Sequence, residues 1–363
     1  MNALRRALAD LIAGLLLLAS SLACSRPAVQ PAPSATVPAT VIVPAIEQVP
    51  TATSITDDTE VSSLDLASPF RQVDGIMVWG QKGDGDGEFN FPSAVTVDVR
   101  GNVYVADSLN HRVQKFASGG QYLGKWGSAG EGPGQFVAPF GIAVDSLSNV
   151  YVADTGNDRI QKFTPEGSLL LVWGERGDGA GQMSHPSGVA VDANGVVYVA
   201  DSGNSRVQTF TDRGTFLAEW GGRGAAAGEF SSPWAIAIQA DGTVYVADTN
   251  NDRIQAFTAD GSYIGAVGNR GSWIGQFDDP RGVAVDTYGN VYVADTDNHR
   301  IQVIGSEGSI TTWGSGGDWS GDFRGPRGVA VDSSGHVYVA DSSNHRIQVF
   351  APIWEQDRRP QAR

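Results

Sequence analysis

Beyond residue 75 the chain is a succession of short apolar runs separated by turn-forming residues. One stretch shows the pattern in full: GIAVD at 141–145, NVYVAD at 149–154, RIQKF at 159–163 and LLLVWG at 169–174, parted by Ser/Asn, Asp-Thr-Gly-Asn and Pro-Glu-Gly. Runs of this length between Gly, Asn, Asp and Pro predict four consecutive strands joined by tight turns. The first two runs are apolar at nearly every position, which suits a sheet covered on both faces. The alanines of AVD and YVAD let covering sheets approach closely.

The four-strand unit recurs. YVADSLNHRVQKF, YVADTGNDRIQKF, YVADSGNSRVQTF, YVADTNNDRIQAF, YVADTDNHRIQVI and YVADSSNHRIQVF carry their aspartates at Asp107, Asp154, Asp201, Asp248, Asp295 and Asp341, at intervals of 47, 47, 47, 47 and 46 residues. A fixed period of this size, filled with strands, predicts an all-β propeller of six four-stranded blades. The signature of the fourth strand stands at Trp79-Gly80, Trp126-Gly127, Trp173-Gly174, Trp220-Gly221, Val267-Gly268 and Trp313-Gly314. One copy precedes the first YVAD and none follows the last. The segment from Ile76 to Trp79 is therefore expected to complete the blade that the C-terminal end begins, with the propeller spanning 75–353 and a short tail at 354–363.

The first 74 residues are written differently. Arg5 and Arg6 precede an apolar stretch, Leu11 to Ala23, that is too short for the roughly 20 residues of a membrane span. Residues 1–23 thus predict an export signal. The one cysteine of the 363 residues, Cys24, stands where that stretch ends, an arrangement that resembles a bacterial lipoprotein signal and makes Cys24 the expected lipidation site. Such signals favour Leu where Ser21 stands, and Ser21 with Ala23 also suits ordinary cleavage before Cys24. Residues 24–74 lack glycine, and Ser25 to Pro69 holds seven of the 17 prolines, the composition of an extended stalk without a core. The expected location is the cell envelope, tethered to a membrane by lipid or, without lipidation, secreted.

The repeat G-[EQD]-F-x-x-P-x-G-[IV]-A-V-D-x-x-G-N-V-Y-V-A-D-[ST]-x-N-x-R-I-Q-x-F resembles the NHL repeat over residues 75 to 351. Three copies read Asn-His-Arg literally: Asn110-His111-Arg112, Asn298-His299-Arg300 and Asn344-His345-Arg346. The resemblance implies a six-bladed propeller, and the whole layout is similar to the extracytoplasmic NHL propellers of bacteria, including sensor domains of receptor kinases. Peptide-amidating lyases share the fold and hold a catalytic zinc with histidines after the repeat prolines. This chain has no histidine there, so that activity is not implied.

Residues repeated in every blade read as architecture. Asp154, Asn157 and Arg159 and their counterparts are expected to be a turn device, the Asp and Asn accepting local backbone N–H groups and the Arg reaching carbonyls or a carboxylate. The histidines beside them alternate with Asp158, Ser205 and Asp252, which speaks against metal ligation. In 80–89, GQKGDGDGEF, Asp84, Asp86 and Glu88 resemble a fragment of a calcium loop, but the glycine and last glutamate are misplaced for one, and an ordinary interblade loop is expected. No catalytic residue, metal site or cofactor is predicted. What varies is the residue after each repeat proline: Ser93, Phe140, Ser187, Trp234, Arg281 and Arg327. These six are expected to ring one mouth of the central channel as a ligand-binding site, with arginines for a carboxylate and aromatics for apolar contact. Asp278, Asp279 and Asp322 are near enough in sequence to neutralise the two arginines instead. A net charge of -15 argues against nucleic acid. The expected function is a binding scaffold for a protein, peptide or glycan; the rival is a metal-dependent lyase or hydrolase with its site in the channel.

Overall fold

A computed structural model describes residues 77–351. The export segment, Cys24, the proline-rich stretch, Ile76 and the tail at 354–363 lie outside the described residues. Within them the chain forms six four-stranded antiparallel sheets. The second is representative, with Ile142–Val144 innermost, then Val150–Asp154, Arg159–Phe163 and, outermost, Leu169–Trp173. The innermost strands of neighbouring sheets touch one another around a full circuit, the sixth meeting the first. Met77–Trp79 pairs with Arg346–Phe350, Met77 opposite Val349 and Trp79 opposite Ile347, so the two ends of the described chain share the sixth blade.

Six apolar clusters hold the ring, each between two adjacent blades. The two-residue period of a strand explains how. In VYVAD, the tyrosine and alanine face one neighbour and the two valines the other. Tyr104 and Ala106 pack against Val150, Val152 and Phe163 of the second blade, while Val103 and Val105 pack against Tyr338 and Ala340 of the sixth. Each fully buried valine or phenylalanine contributes about 1.5–3 kcal/mol. The outer-strand tryptophans add a second tie: Trp79, Trp126, Trp173 and Trp220 lie 5.8 to 6.1 Å, ring to ring, from Phe116, Phe163, Phe210 and Phe257 of the following blade. Near the axis the backbones nearly touch, since a Cβ on Gly188 would lie 2.3 Å from the Trp234 carbonyl oxygen.

The repeated polar residues form a latch rather than a local turn device. Asp154 is fully buried and accepts four hydrogen bonds, from Val137 N (2.8 Å), Asn157 Nδ2 (2.8 Å), Arg159 Nε (2.7 Å) and Gln161 Nε2 (3.0 Å). Arg159 also donates to the carbonyls of Glu131, Gly132 and Gln135, and Asn157 to that of Gly130. Asn157 thus donates where acceptance was expected, and the backbone group bound by Asp154 is 17 residues away. The partners are distant because the network's task is to clamp the glycine-rich connection from the preceding blade, whose carbonyls point inward with no strand to pair with. That connection is an ordinary loop in its acidic copy too: Asp86 pairs with Lys125 at 2.7 Å, and Glu88 accepts from Gln81 and from Gly85 N.

A second stitch crosses every junction. The Ser or Thr after YVAD donates to the carbonyl of the next blade's repeat proline: Ser108 to Pro139 (2.6 Å), Thr155 to Pro186 (2.8 Å), Ser202 to Pro233, Thr249 to Pro280 (2.8 Å), Thr296 to Pro326 (2.8 Å) and Ser342 to Pro92 (2.6 Å). Either hydroxyl serves, which is why the position alternates between the two.

Candidate functional site

Of the six innermost strands one, Ile142–Val144, begins three residues after Pro139, and the other five begin at a proline, where the missing N–H costs no ladder bond. The next residue is thrown out of register. Pro186 lies opposite Asp201 but Gly188 already lies opposite Ala200, so Ser187 is the extra residue of a β-bulge. The same shift falls at Ser93, Trp234, Arg281 and Arg327. A bulge re-aims side chains. Here Ser93, Phe140, Ser187, Trp234, Arg281 and Arg327 all line one cavity of about 70 Å³ on the ring axis, together with the two small or aliphatic residues that follow each of them. The structure brings all six residues of the sequence-derived ring together.

They are not equivalent. Phe140 and Trp234 meet across the third blade, where Ser187 leaves room, with ring centroids 5.2 Å apart. Ser93 Oγ donates to the Phe140 carbonyl at 2.7 Å and Ser187 Oγ to that of His185 at 3.2 Å, so both hydroxyls are engaged. The Arg281 guanidinium lies 4.4 Å over the Trp234 ring and its Nε donates to Asp279 Oδ2 at 2.5 Å. Arg327 lies 4.3 Å over the Phe91 ring. Among the described residues, Arg327 has no carboxylate, carbonyl or hydroxyl in hydrogen-bond reach of its guanidinium.

The acids named as neutralising partners therefore divide. Asp279 neutralises Arg281. Asp278 instead approaches Arg270 at 3.7 Å, and Asp322 accepts from Ser315 Oγ at 2.6 Å, so neither serves Arg327. Burial, and then the charge of Arg281, pull the Arg327 pKa down to about 9, while Asp279 and Asp297 act in the opposite sense. Arg327 remains a cation at neutral pH, held in place at a desolvation cost. Exposed Asp297 completes the surroundings: burial raises its carboxyl, Asp279 and Asp278 add to that, and Arg281 and Arg327 oppose it.

Two contributors escaped sequence reasoning, at least in these roles. Phe91 and Asp279 occupy the position before the repeat proline, which is Ala138, His185, Ser232 and Gly325 in the other blades. All six have positive φ, from 48° to 61°. The signal was present, since this position varies as freely as the one after the proline. The backbone N–H there is caught by the residue between the repeat Asn and Arg: Phe91 N donates to His345 Nδ1 (3.1 Å), Ala138 N to His111 Nδ1 (3.0 Å), His185 N to Asp158 (2.7 Å) and Asp279 N to Asp252 (3.0 Å). The alternation of His with Asp follows from that single acceptor role. No grouping of three or more His, Cys, Asp or Glu fit to hold a metal occurs among the described residues.

The ring, its channel and its shared last blade define a six-bladed β-propeller. Its units are NHL repeats: residues 89–116, 136–163, 183–210, 230–257, 277–304 and 323–350 each match that family's repeat. Over 50 residues the chain is 46% identical to Protein lin-41 of Caenorhabditis elegans, a stretch amounting to 14% of this chain and 4% of that protein. Among solved structures, a Bacteroides thetaiotaomicron protein of unknown function superposes with a TM-score of 0.62 at 18% identity, covering 76% of each chain. An auxiliary nutrient binding protein from the same species gives 0.57 at 15% identity, again over 76% of each chain. A streptogramin B lyase gives 0.54 at 13% identity, over 76% of this chain and 96% of that one. At these identities the likeness is one of fold, and the fold serves binding proteins and enzymes alike.

Proposed function

We propose that this protein is an exported, membrane-tethered NHL propeller that binds a protein, peptide or glycan partner through an anionic group received at the channel mouth, without transforming it. One observation carries the reading: Arg327 sits inside the channel on the Phe91 ring with no hydrogen-bond acceptor for its guanidinium among the described residues. Blade closure does not require it, since Ser93, Phe140, Ser187 and Trp234 fill the same position elsewhere. An arriving carboxylate would accept from its planar fork, and Arg281 beside it, bound to Asp279 through Nε, offers its terminal nitrogens as further donors. Among the described residues the side chains that line the cavity bear no imidazole or thiol, and the nearby carboxylate of Asp279 is tied to Arg281, which favours binding over the lyase or hydrolase alternative.

The test is calorimetric titration of the propeller with formate, acetate and benzoate. Binding should weaken by about 1.5–3 kcal/mol in Arg327→Ser, the worth of a charged hydrogen bond. Equal affinity in parent and variant, or no binding by either, sinks the assignment. Export and tethering rest on the N-terminal segment and Cys24. Cys24→Ser should move the protein from the membrane to the soluble fraction, and unchanged fractionation would refute the anchor.

A further inference from the structure

The blades that supply Arg281 and Arg327 carry a second peculiarity eight residues upstream. In the connections leading into those blades stand Trp273 and Trp319, where the other four blades have Gly85, Gly132, Gly179 and Ala226. Both are almost free of protein contact, with exposures of 80% and 82%. Neither indole stacks on another ring or donates a hydrogen bond among the described residues. Yet their backbones are pinned by the latch: Arg300 Nη2 donates to the Trp273 carbonyl at 2.9 Å and Arg346 Nη2 to that of Trp319 at 2.8 Å. Because each connection runs into the start of an innermost strand, both tryptophans stand on the face that carries the channel mouth. Ile274, 62% exposed, extends the apolar surface.

Rigidly mounted aromatics that pack on nothing in their own fold mark a binding surface. Building on the channel-mouth reading, we infer that the partner is a polypeptide bound by its free C-terminus, the terminal carboxylate entering between Arg281 and Arg327 and the preceding apolar residues lying over Trp273 and Trp319. Charge selects this occupant. The cavity of about 70 Å³ on the ring axis admits a carboxylate beside the two guanidinium groups. Around the mouth Asp278 pairs with Arg270, Asp279 with Arg281 and Asp318 with Arg324, which leaves Arg327 as the cation without an ion pair, on a chain of net charge -15. One such cation on an acidic chain suits a single terminal negative charge followed by apolar residues rather than a polyanion such as an acidic glycan.

The experiment uses the full chain and a randomised hexapeptide library immobilised through its N-termini, presented once with free carboxylates and once as C-terminal amides, beside an array of acidic oligosaccharides. The free-acid peptides should be retained at least about tenfold better than the amides. Trp273→Gly with Trp319→Gly, residues that other blades accept at this position, should lower peptide retention about tenfold while leaving small-carboxylate titration unchanged. Equal retention of acids and amides, no effect of the tryptophan changes, or preference for the oligosaccharides overturns the inference. Any of these alongside intact acetate binding leaves the channel-mouth assignment standing, whereas loss of acetate binding itself removes that assignment first.

Discussion

Arg112 and Arg327 belong to the same propeller and live under opposite conditions. Arg112, a latch residue, donates to Asp107, to Asp84 and Gly85 carbonyls and to that of Glu88, all within 2.8 Å. Arg327 donates to nothing within the described chain. The first arrangement occurs six times with the same chemistry, the second once. A charge whose three nitrogens all donate holds the ring together; one with no acceptor among the described residues adds nothing to that closure and, in the reading proposed above, is kept for a ligand's carboxylate. Arg281 falls between them, in the mouth by position and half satisfied by Asp279.

The contrast between latch and mouth can be pressed experimentally. The largest effect should come from the ring itself: deleting residues 1–80 removes Met77–Trp79 and the Trp79–Phe116 contact, and should cost more than the about 3–5 kcal/mol of a single buried Trp→Ala change. Deleting 1–70 spares both, so equal thermal midpoints for the two truncations would refute the shared blade. Next comes Asp154→Asn, which leaves the largely buried Arg159 without its anion and should cost about 3 kcal/mol in denaturant unfolding.

In the same assay Arg327→Ser should shift stability by less than about 1 kcal/mol in either direction, since the lost stacking on Phe91 is offset by relief of desolvation. Arg281→Ser, which strands half-buried Asp279, should cost about 1–3 kcal/mol. Similar losses for Asp154→Asn and Arg327→Ser would erase the distinction altogether.

The smallest effect concerns pH. His111 and His345 accept backbone N–H groups through Nδ1 and must be neutral to do so. Burial holds both below the ordinary histidine value; Lys82 adds to this at His345, while Asp154 and Asp341 act in the opposite sense at His111 and His345 respectively. The unfolded chain, titrating near about 6.5, then binds more protons than the folded one just below that pH. Stability should be full above it and fall as pH drops through the lowered folded-state values. His111→Asp with His345→Asp should flatten that fall, because Asp158 and Asp252 already do the same work. A pH profile unchanged by the double substitution would break this account.

The architecture could be read because it is repetitive: six spaced YVAD copies give the strands, and six fourth-strand signatures, one of them ahead of the first copy, give the closure. The ring of Ser93, Phe140, Ser187, Trp234, Arg281 and Arg327 could be read because variation stood out against that repetition. The difference between Arg281 and Arg327 could not, since it depends on which aromatic lies under each guanidinium and on an Asp279 side chain that reaches back two residues. The role of the repeat histidines was equally hidden. Their hydrogen bonds cross from one blade to the next, a separation of 254 residues for His345 and Phe91, and nothing local announces them.

The direction of one short strand has a practical consequence. Met77 lies beside Val349, toward the end of the sixth blade away from Ser342 and Pro92, so the described chain both begins and finishes on the side opposite the arginines and the exposed tryptophans. A fusion made directly to Met77 or Ala351 would thus leave the channel mouth uncovered.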